Sequence, residues 1–165
     1  MKKISLVIAT ICLIFSINAN AQTKQAQENT ENAVEIAHLT KETFQQLVWD
    51  YANSPNTWLY KGDKPCIIDF YANWCGPCRQ LAPKLTELAE TYKGKITIYK
   101  INIDQEKELA ALFGVKSIPA ILFIPQTGQA QMALGNLPKE TLEEAIKTVL
   151  IPTINKGDKD SKNKK

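Results

Sequence analysis

Apolar residues follow two different periods along this chain, and each change of period predicts a new element. Continuous apolar runs at 67–71 and 120–124 are typical of strands covered on both faces of a sheet. Alternation over 96–103 predicts another strand, and Gln126–Gln129 has the composition of a hairpin turn. The predicted strands are 34–39, 67–71, 96–103, 120–124 and 129–134, with 58–60 as a further short edge strand.

Helical spacing of apolar residues fills the intervals between these strands. Thr40 is a suitable N-cap for a helix that carries Phe44, Leu47, Val48 and Tyr51 at helical spacing. Helices alternate with strands in the first part of the chain, and a hairpin and a helix come last. This order predicts an α/β fold with a mixed sheet and helices on both of its sides. The later helices are predicted at 78–92, at 104–113 before Gly114, and from Pro138 or Lys139 onward.

Residues 1–21 have the three parts of an export signal. Lys2 and Lys3 form a basic start, residues 4–17 are almost wholly apolar, and the last three residues, Ala-Asn-Ala, form a small-x-small cleavage site. The apolar run of about 14 residues is shorter than the roughly 20 that a membrane-spanning helix needs. We therefore expect cleavage after Ala21, with an uncleaved N-terminal anchor as the alternative.

The remaining chain is predicted to contain one domain between two polar ends. Residues 22–32 are polar and predict a linker, whereas 33–151 has the length and apolar content of a single domain. Residues 152–165 are rich in lysine, so we expect a solvated, disordered tail. Without Lys2 and Lys3 the remaining chain has 18 Lys and Arg residues against 17 Asp and Glu residues, so the charge gives no reason to expect nucleic acid as a partner.

Three cysteines lie beyond the leader, and two of them stand two residues apart, where a disulfide forms and breaks with little backbone motion. Cys75 is placed to open a helix, whose unpaired N–H groups favour negative charge, so it is the expected attacking, exposed thiolate. Cys78, one turn later, is expected to be more buried and to resolve the mixed disulfide. Pro77 fits the first turn, where a missing N–H costs nothing, and Gly76 lets the turn pass close to a partner chain. Cys66 is expected to be an inert core residue.

Asp69 interrupts the apolar run of the predicted central strand. Burial of a lone carboxylate is costly and raises its pKa, which suits a proton acceptor for Cys78. The alternative is that its side chain reaches solvent. Lys100, in the neighbouring strand pattern, is the expected partner charge, and Trp74 is expected to flank the thiol as an exposed apolar contact or to pack in the core.

The sequence resembles the thioredoxin family from about residue 33 to residue 150, and the spacing between the matching words agrees as well. By that resemblance we expect a thioredoxin fold, a central mixed five-stranded sheet flanked by four helices, and thiol–disulfide exchange with protein disulfide substrates. The redox group is then the Cys75–Cys78 disulfide, without a cofactor or metal. The matching words are Ile67–Arg79 with Trp74-Cys75-Gly76-Pro77-Cys78, then Lys100–Asp104, Val115–Ala120, Gly128 and Gly135.

The resemblance also implies a cis peptide at Ile118–Pro119 and the proton role of Asp69, tuned by Lys100. The substrate groove implied by the family consists of Trp74, Gly76, Pro77, Ile118, Pro119 and Gly135. Two departures stand out. Tyr71 occupies a position where the family usually has Trp, and residues 53–64 are longer than in the compact cytosolic type.

Together, the leader and the resemblance indicate an exported, monomeric thioredoxin of the bacterial periplasm, kept reduced by a membrane electron donor. The Gly-Pro pair between the cysteines resembles the reducing members of the family. The alternatives are a periplasmic disulfide oxidase or isomerase, which the location favours, and a reductant dedicated to cytochrome maturation. A metal-binding module is a non-enzymatic alternative, although the chain offers only Cys66 and His38 besides the CxxC pair.

Overall fold

The structure is a computed structural model that describes residues 36–152. These residues contain five strands, which form one mixed sheet in the order β1-β3-β2-β4-β5. Strands β1, β3 and β2 run parallel, and β4 is antiparallel to β2 and β5. The predicted mixed five-stranded sheet is therefore confirmed. Its strands are β1 (Ala37–His38), β2 (Cys66–Tyr71), β3 (Thr97–Asn102), β4 (Ala120–Ile124) and β5 (Gln131–Leu134).

Four α-helices accompany the sheet within this part of the chain, as the resemblance implied. None of the helices between residues 36 and 152 has the length and apolar character needed to cross a bilayer. The predicted leader 1–21 and linker 22–32 lie outside the described residues, as does the predicted tail apart from Pro152. The helices are α1 (Lys41–Leu47), α2 (Gly76–Thr91), α3 (Lys107–Leu112) and α4 (Lys139–Ala145), the last continued by a π-helical turn (Ile146–Leu150).

The side chains of β2 divide the core into two layers. Ile67 packs with Leu81 and Leu85 of α2 on one face of the sheet, where α4 also contributes. Ile68 belongs to the opposite layer with Phe44 of α1. Because side chains alternate along a strand, residue 69 points to the same face as Ile67. The central strand therefore presents its one carboxylate to the side of the sheet that α2 covers.

The first helix is shorter than its apolar spacing predicts. It ends at Leu47, because the Val48 carbonyl accepts a hydrogen bond from the Lys61 N–H at 2.9 Å instead of continuing the helical ladder. Tyr51 lies beyond the helix and packs its ring 6.2 Å from that of Phe44. The prediction that Tyr51 belongs to the helix is wrong, although its contribution to the same apolar layer is real.

The predicted edge strand at 58–60 is absent from the described sheet. Trp58 packs on Trp49 with ring centroids 4.9 Å apart, and the Tyr60 hydroxyl donates to the Lys64 carbonyl. The apolar side chains of this segment therefore reflect aromatic packing of a loop rather than strand pairing. Strand β1 is also shorter in its described part than the predicted 34–39.

The third helix begins later than predicted, at Lys107 instead of Asp104. The Asn102 side chain accepts a hydrogen bond from the Asp104 N–H at 3.0 Å, and the Asn102 carbonyl accepts one from the Glu106 N–H at 2.8 Å. These bonds close a turn that delays the helix. Its end is as predicted, because Gly114 adopts the left-handed conformation with φ of 61°.

Candidate active site

A disulfide between Cys75 and Cys78 stands at the beginning of α2. Their Cα atoms are 5.3 Å apart. Cys75 is the N-cap of the helix, and its Sγ accepts a hydrogen bond from the Cys78 N–H at 3.2 Å. Pro77 lies in the first turn, where its missing N–H leaves no helical bond unmade. The sulfur of Cys75 thus occupies the positive end of a 16-residue helix, a position that favours a thiolate.

Exposure does not separate the two cysteines as the sequence predicted. Cys75 is 4% exposed and Cys78 is 3% exposed, so the expectation of an open Cys75 beside a more buried Cys78 is wrong for this disulfide form. The physical reason is that Ala72 and Ile118 pack around both sulfur-bearing residues in one small apolar cluster. What distinguishes Cys75 is its position at the helix terminus, not its solvent contact.

Asp69 is fully buried in the central strand, six residues before Cys75. Neither carboxyl oxygen has a hydrogen-bond partner among the described residues. Burial raises the pKa of Asp69 to about 6, and the positive charge of Lys100 opposes that rise. The alternative in which this side chain reaches solvent is therefore wrong.

Lys100 lies directly beside Asp69, because the two are register partners on the parallel strands β3 and β2. No ion pair joins them within residues 36–152. The Lys100 ammonium instead lies over the ring of Tyr71, with Nζ 4.5 Å from the ring centroid. The Tyr71 hydroxyl is hydrogen-bonded to Nδ1 of His38 at 3.1 Å. Sequence reasoning missed this contact, since it requires the register of three strands.

A cleft of about 260 Å³ adjoins the disulfide. Trp74 forms one wall and is 68% exposed, so the core-packing alternative for this residue is wrong. Its indole N–H donates to Asp104 at 3.0 Å, which fixes the orientation of the ring. Asp104 was quoted in a matching word but not predicted as part of the site. The residues that line the cleft are Trp74, Ile103, Val115, Lys116, Ser117 and Ile118.

The Ile118–Pro119 peptide is cis, as the resemblance implied. Because β4 begins at Ala120, the backbone of Ile118 precedes the strand ladder beside the disulfide. The Pro119 carbonyl accepts a hydrogen bond from the Gly135 N–H at 2.8 Å. Gly135 has φ of 88°, a conformation that side-chain-bearing residues rarely adopt, so glycine is required there. Pro119 and Gly135 are therefore hydrogen-bonded to each other next to Ile118, and neither lines the cleft.

The third cysteine, Cys66, lies at the beginning of β2, and the disulfide follows the opposite end of that strand. Cys66 is a free, buried thiol, as predicted, and burial raises its pKa to about 12. Within residues 36–152 no group of three or more His, Cys, Asp or Glu side chains is arranged to hold a metal ion. The metal-binding alternative thus has no set of ligands in this part of the chain.

Comparisons with known proteins agree on one family. The family model for thioredoxin matches residues 35–148. The chain is 44% identical to a thioredoxin of Borreliella burgdorferi over 109 residues, which are 66% of this chain and 92% of the relative. It is 38% identical to a thioredoxin of Alicyclobacillus acidocaldarius, covering 68% of this chain and 95% of the relative.

Plant plastid proteins and a solved structure are also similar. Thioredoxin M4, chloroplastic, of Arabidopsis thaliana is 31% identical over 145 residues, covering 82% of this chain and 69% of the relative. A crystal structure of chloroplastic thioredoxin z superimposes with a TM-score of 0.55 at 27% identity, covering 68% of this chain and 92% of that one. The match therefore extends from sequence to architecture.

Proposed function

The chain belongs to the thioredoxin family, and on that premise we propose that it reduces or exchanges protein disulfides in a bacterial periplasm. Thioredoxins are protein-disulfide oxidoreductases whose redox group is a disulfide of their own chain, so this protein is a thiol–disulfide oxidoreductase that acts on protein disulfides and needs no cofactor. The observation that carries the proposed mechanism is a cysteine pair, joined here as a disulfide, at a helix N-terminus beside a strand that buries an unpartnered carboxylate.

In the proposed first step, the Cys75 thiolate attacks one sulfur of a substrate disulfide. A mixed disulfide forms, the substrate S–S bond breaks, and the released substrate thiolate takes a proton from solvent. The N-cap position of Cys75 supports this role, because helix N–H groups and the helix dipole stabilise the attacking thiolate. The Cys78 N–H, already directed at that sulfur, is one such group.

In the proposed second step, Cys78 loses its proton and attacks the Cys75 sulfur of the mixed disulfide. The Cys75–Cys78 disulfide forms, and the second substrate thiolate leaves and is protonated. Two electrons thus pass from the Cys75 thiolate and the Cys78 thiol to the substrate, whose two new thiols take one proton from solvent and a second that balances the proton lost by Cys78. Asp69 takes the proton from Cys78 in this scheme, since a carboxyl with a pKa of about 6 changes charge close to neutral pH. Lys100 tunes Asp69 through its positive charge.

Substrate binding is proposed along the exposed side of the disulfide. Trp74 offers a broad apolar surface, and the position of Ile118 next to the cysteines supports a role for its backbone in pairing with an extended substrate segment. Gly76 supports close approach, because its position is uncrowded and carries no side chain. Pro77, Pro119 and Gly135 complete the proposed contact surface around the disulfide.

The periplasmic location rests on the export-signal pattern of residues 1–21 and the proposed cleavage after Ala21. In that compartment an electron donor in the membrane must return the disulfide to the dithiol. The Gly-Pro pair between the cysteines supports the reducing direction. We further propose that the protein acts as a monomer.

The deciding experiment traps the redox state of the cysteines in growing cells by acid quenching and thiol alkylation. The proposal predicts a mostly reduced Cys75–Cys78 pair in the periplasmic fraction and an N-terminus at Gln22 on that material. A mostly oxidised pair supports an oxidase or isomerase instead. Recovery of the protein outside the periplasm, or with its first 21 residues attached, contradicts the proposed location.

A further inference from the structure

Three polar side chains form a row across the sheet, on the face that α2 covers. His38 of β1 is the register partner of Lys100 of β3, which in turn is the register partner of Asp69 of β2. Register partners on parallel strands point to the same face, with neighbouring strands about 4.8 Å apart. The row therefore leads from a fully buried carboxylate through an ammonium to an exposed imidazole at the sheet edge.

Tyr71 contacts two members of this row, Lys100 and His38. It lies two residues after Asp69 on β2, so its ring is on the same face. One face of the ring receives the Lys100 ammonium, 4.5 Å from the centroid. The hydroxyl is hydrogen-bonded to His38 at 3.1 Å, and the two rings meet edge to face with centroids 5.6 Å apart.

The ring is the contact that determines where the Lys100 charge lies. In the described part of the chain, the Lys100 ammonium forms no ion pair, and Asp69 accepts no hydrogen bond from it. A cation over an aromatic face is held by the ring's quadrupole at a defined distance. The effect of that cation on Asp69 depends on distance, so the ring sets how far the ammonium offsets the cost of burying the carboxylate.

We propose that Tyr71 and His38 are positioning residues: the Tyr71 ring holds the Lys100 ammonium beside Asp69, and His38 holds the ring. This inference rests on the proposed role of Asp69 as the proton acceptor for Cys78, and it extends the control of that role to Tyr71 on the same strand and to His38 at the edge of the sheet. Tyr71 keeps its hydroxyl proton for the contact, because burial and the nearby Asp69 charge both raise its pKa.

The groups that face Asp69 are few. Tyr71 lies on its own strand, Lys100 on β3 and His38 one strand further, while the β4 register partner is the uncharged Ile121. The Cys75–Cys78 disulfide at the start of α2 does not titrate in the oxidised protein. In the oxidised protein, any effect of Tyr71 on the pKa of Asp69 must therefore act through Lys100 or directly from Tyr71 itself.

The test measures the pKa of Asp69 in the oxidised full-length protein, from its carboxyl-carbon chemical shift during an NMR pH titration. Lys100→Met is expected to raise that pKa by about one, the low end for removal of an opposite charge at this range. Tyr71→Leu is also expected to raise the pKa of Asp69, but by a smaller amount. In the Lys100→Met background, Tyr71→Leu is expected to add nothing.

Two outcomes would overturn the proposal. Either Tyr71→Leu leaves the pKa of Asp69 unchanged or lowers it, the latter meaning that the ring acts by excluding water, or it raises the pKa equally with and without Lys100, which means that the effect does not pass through the lysine. Lys147→Met removes one positive charge from the π-helical turn and serves as the matched control, with no change expected.

Variants that keep an aromatic ring at position 71 isolate the contribution of His38 and keep the test independent of folding defects. His38→Ala and Tyr71→Phe remove the same hydrogen bond, so each is expected to raise the pKa of Asp69 slightly, and the double variant no further. Tyr71→Trp supplies a larger ring for the ammonium and is expected to keep the wild-type value. Additive effects of His38→Ala and Tyr71→Phe, or a failed rescue by Trp, contradict the assigned roles.

Insulin reduction by the wild-type protein, measured alongside, separates this inference from the proposed function. An inactive wild type contradicts the function but leaves the Asp69 titration series readable. An active wild type in which Lys100→Met raises the pKa of Asp69 but Tyr71→Leu does not contradicts only the positioning role.

Discussion

The two ends of strand β2 carry cysteines of opposite character. Cys66 begins the strand as a free thiol, and burial raises its pKa to about 12. Cys75 follows the other end, caps α2 and is bonded to Cys78. Their exposures differ little, at 0% for Cys66 and 4% for Cys75. Burial alone therefore does not make a cysteine inert or reactive. The difference lies in the helix terminus and in a second thiol one turn away.

The largest effect is expected from Cys75→Ser. Without the attacking sulfur no mixed disulfide forms, so reduction of insulin disulfides by the variant should fall to the uncatalysed rate. The turbidity assay for insulin reduction measures this directly. Residual turnover through Cys78 alone would contradict the assignment of attacker and resolver.

Cys78→Ser should stop turnover at the next step and leave the first step intact. Cys75 still attacks a substrate disulfide, but no second thiol releases the product. Substrate proteins should then accumulate on Cys75 as mixed disulfides, which non-reducing electrophoresis and mass spectrometry detect. Equal trapping by the Cys75→Ser variant would show that the two ends of this pair are interchangeable.

Asp69→Asn tests the polar interruption of β2 through folding stability. The pKa of Asp69 is about 6 in the folded chain, against an ordinary value near 3.9. The folded state then binds more protons than the unfolded state between those values, so wild-type stability falls as pH rises from about 4 to about 6. The accumulated cost is about 3 kcal/mol above that range.

Denaturant unfolding of both proteins from pH 3 to pH 8 checks this prediction. The stability of Asp69→Asn relative to wild type should increase by about 3 kcal/mol over that range. A difference that does not vary with pH would mean that the carboxylate is solvated in solution.

The smallest effect is expected from Cys66→Ala. Removal of a buried sulfur should cost about 1 kcal/mol of folding free energy, as for other small losses of core volume. Insulin reduction should keep its wild-type rate, because Cys66 lies at the opposite end of the strand from the disulfide. A clear loss of activity in a folded variant would assign this thiol a redox role.

Local sequence patterns predicted the elements and side-chain positions that depend on residues close together in the chain. The apolar run 120–124 became β4 with the same bounds, and Cys75 caps α2 as its position before an apolar helix indicated. A carboxylate within a continuous apolar run was enough to predict the buried Asp69. In each case the residue's neighbours in sequence carry the information.

The missed features depend on contacts between distant segments. The loop at 58–60 has strand-like composition, but Trp58 packs on Trp49, a contact that no local pattern specifies. The contacts of Tyr71 with Lys100 and His38 require the register of three strands that are far apart in sequence. The equal burial of the two active-site cysteines likewise follows from packing against Ile118.

The most direct test of the central claim compares alkylation rates of the three thiols in the reduced protein at pH 7. Iodoacetamide reacts with thiolates, so the rate reports the ionised fraction of each cysteine. Cys75 should react faster in the folded protein than in the same chain unfolded in denaturant, whereas Cys66 should react only after unfolding. If Cys75 is alkylated no faster in the folded chain than in the unfolded one, the helix terminus does not activate this sulfur and the account is wrong.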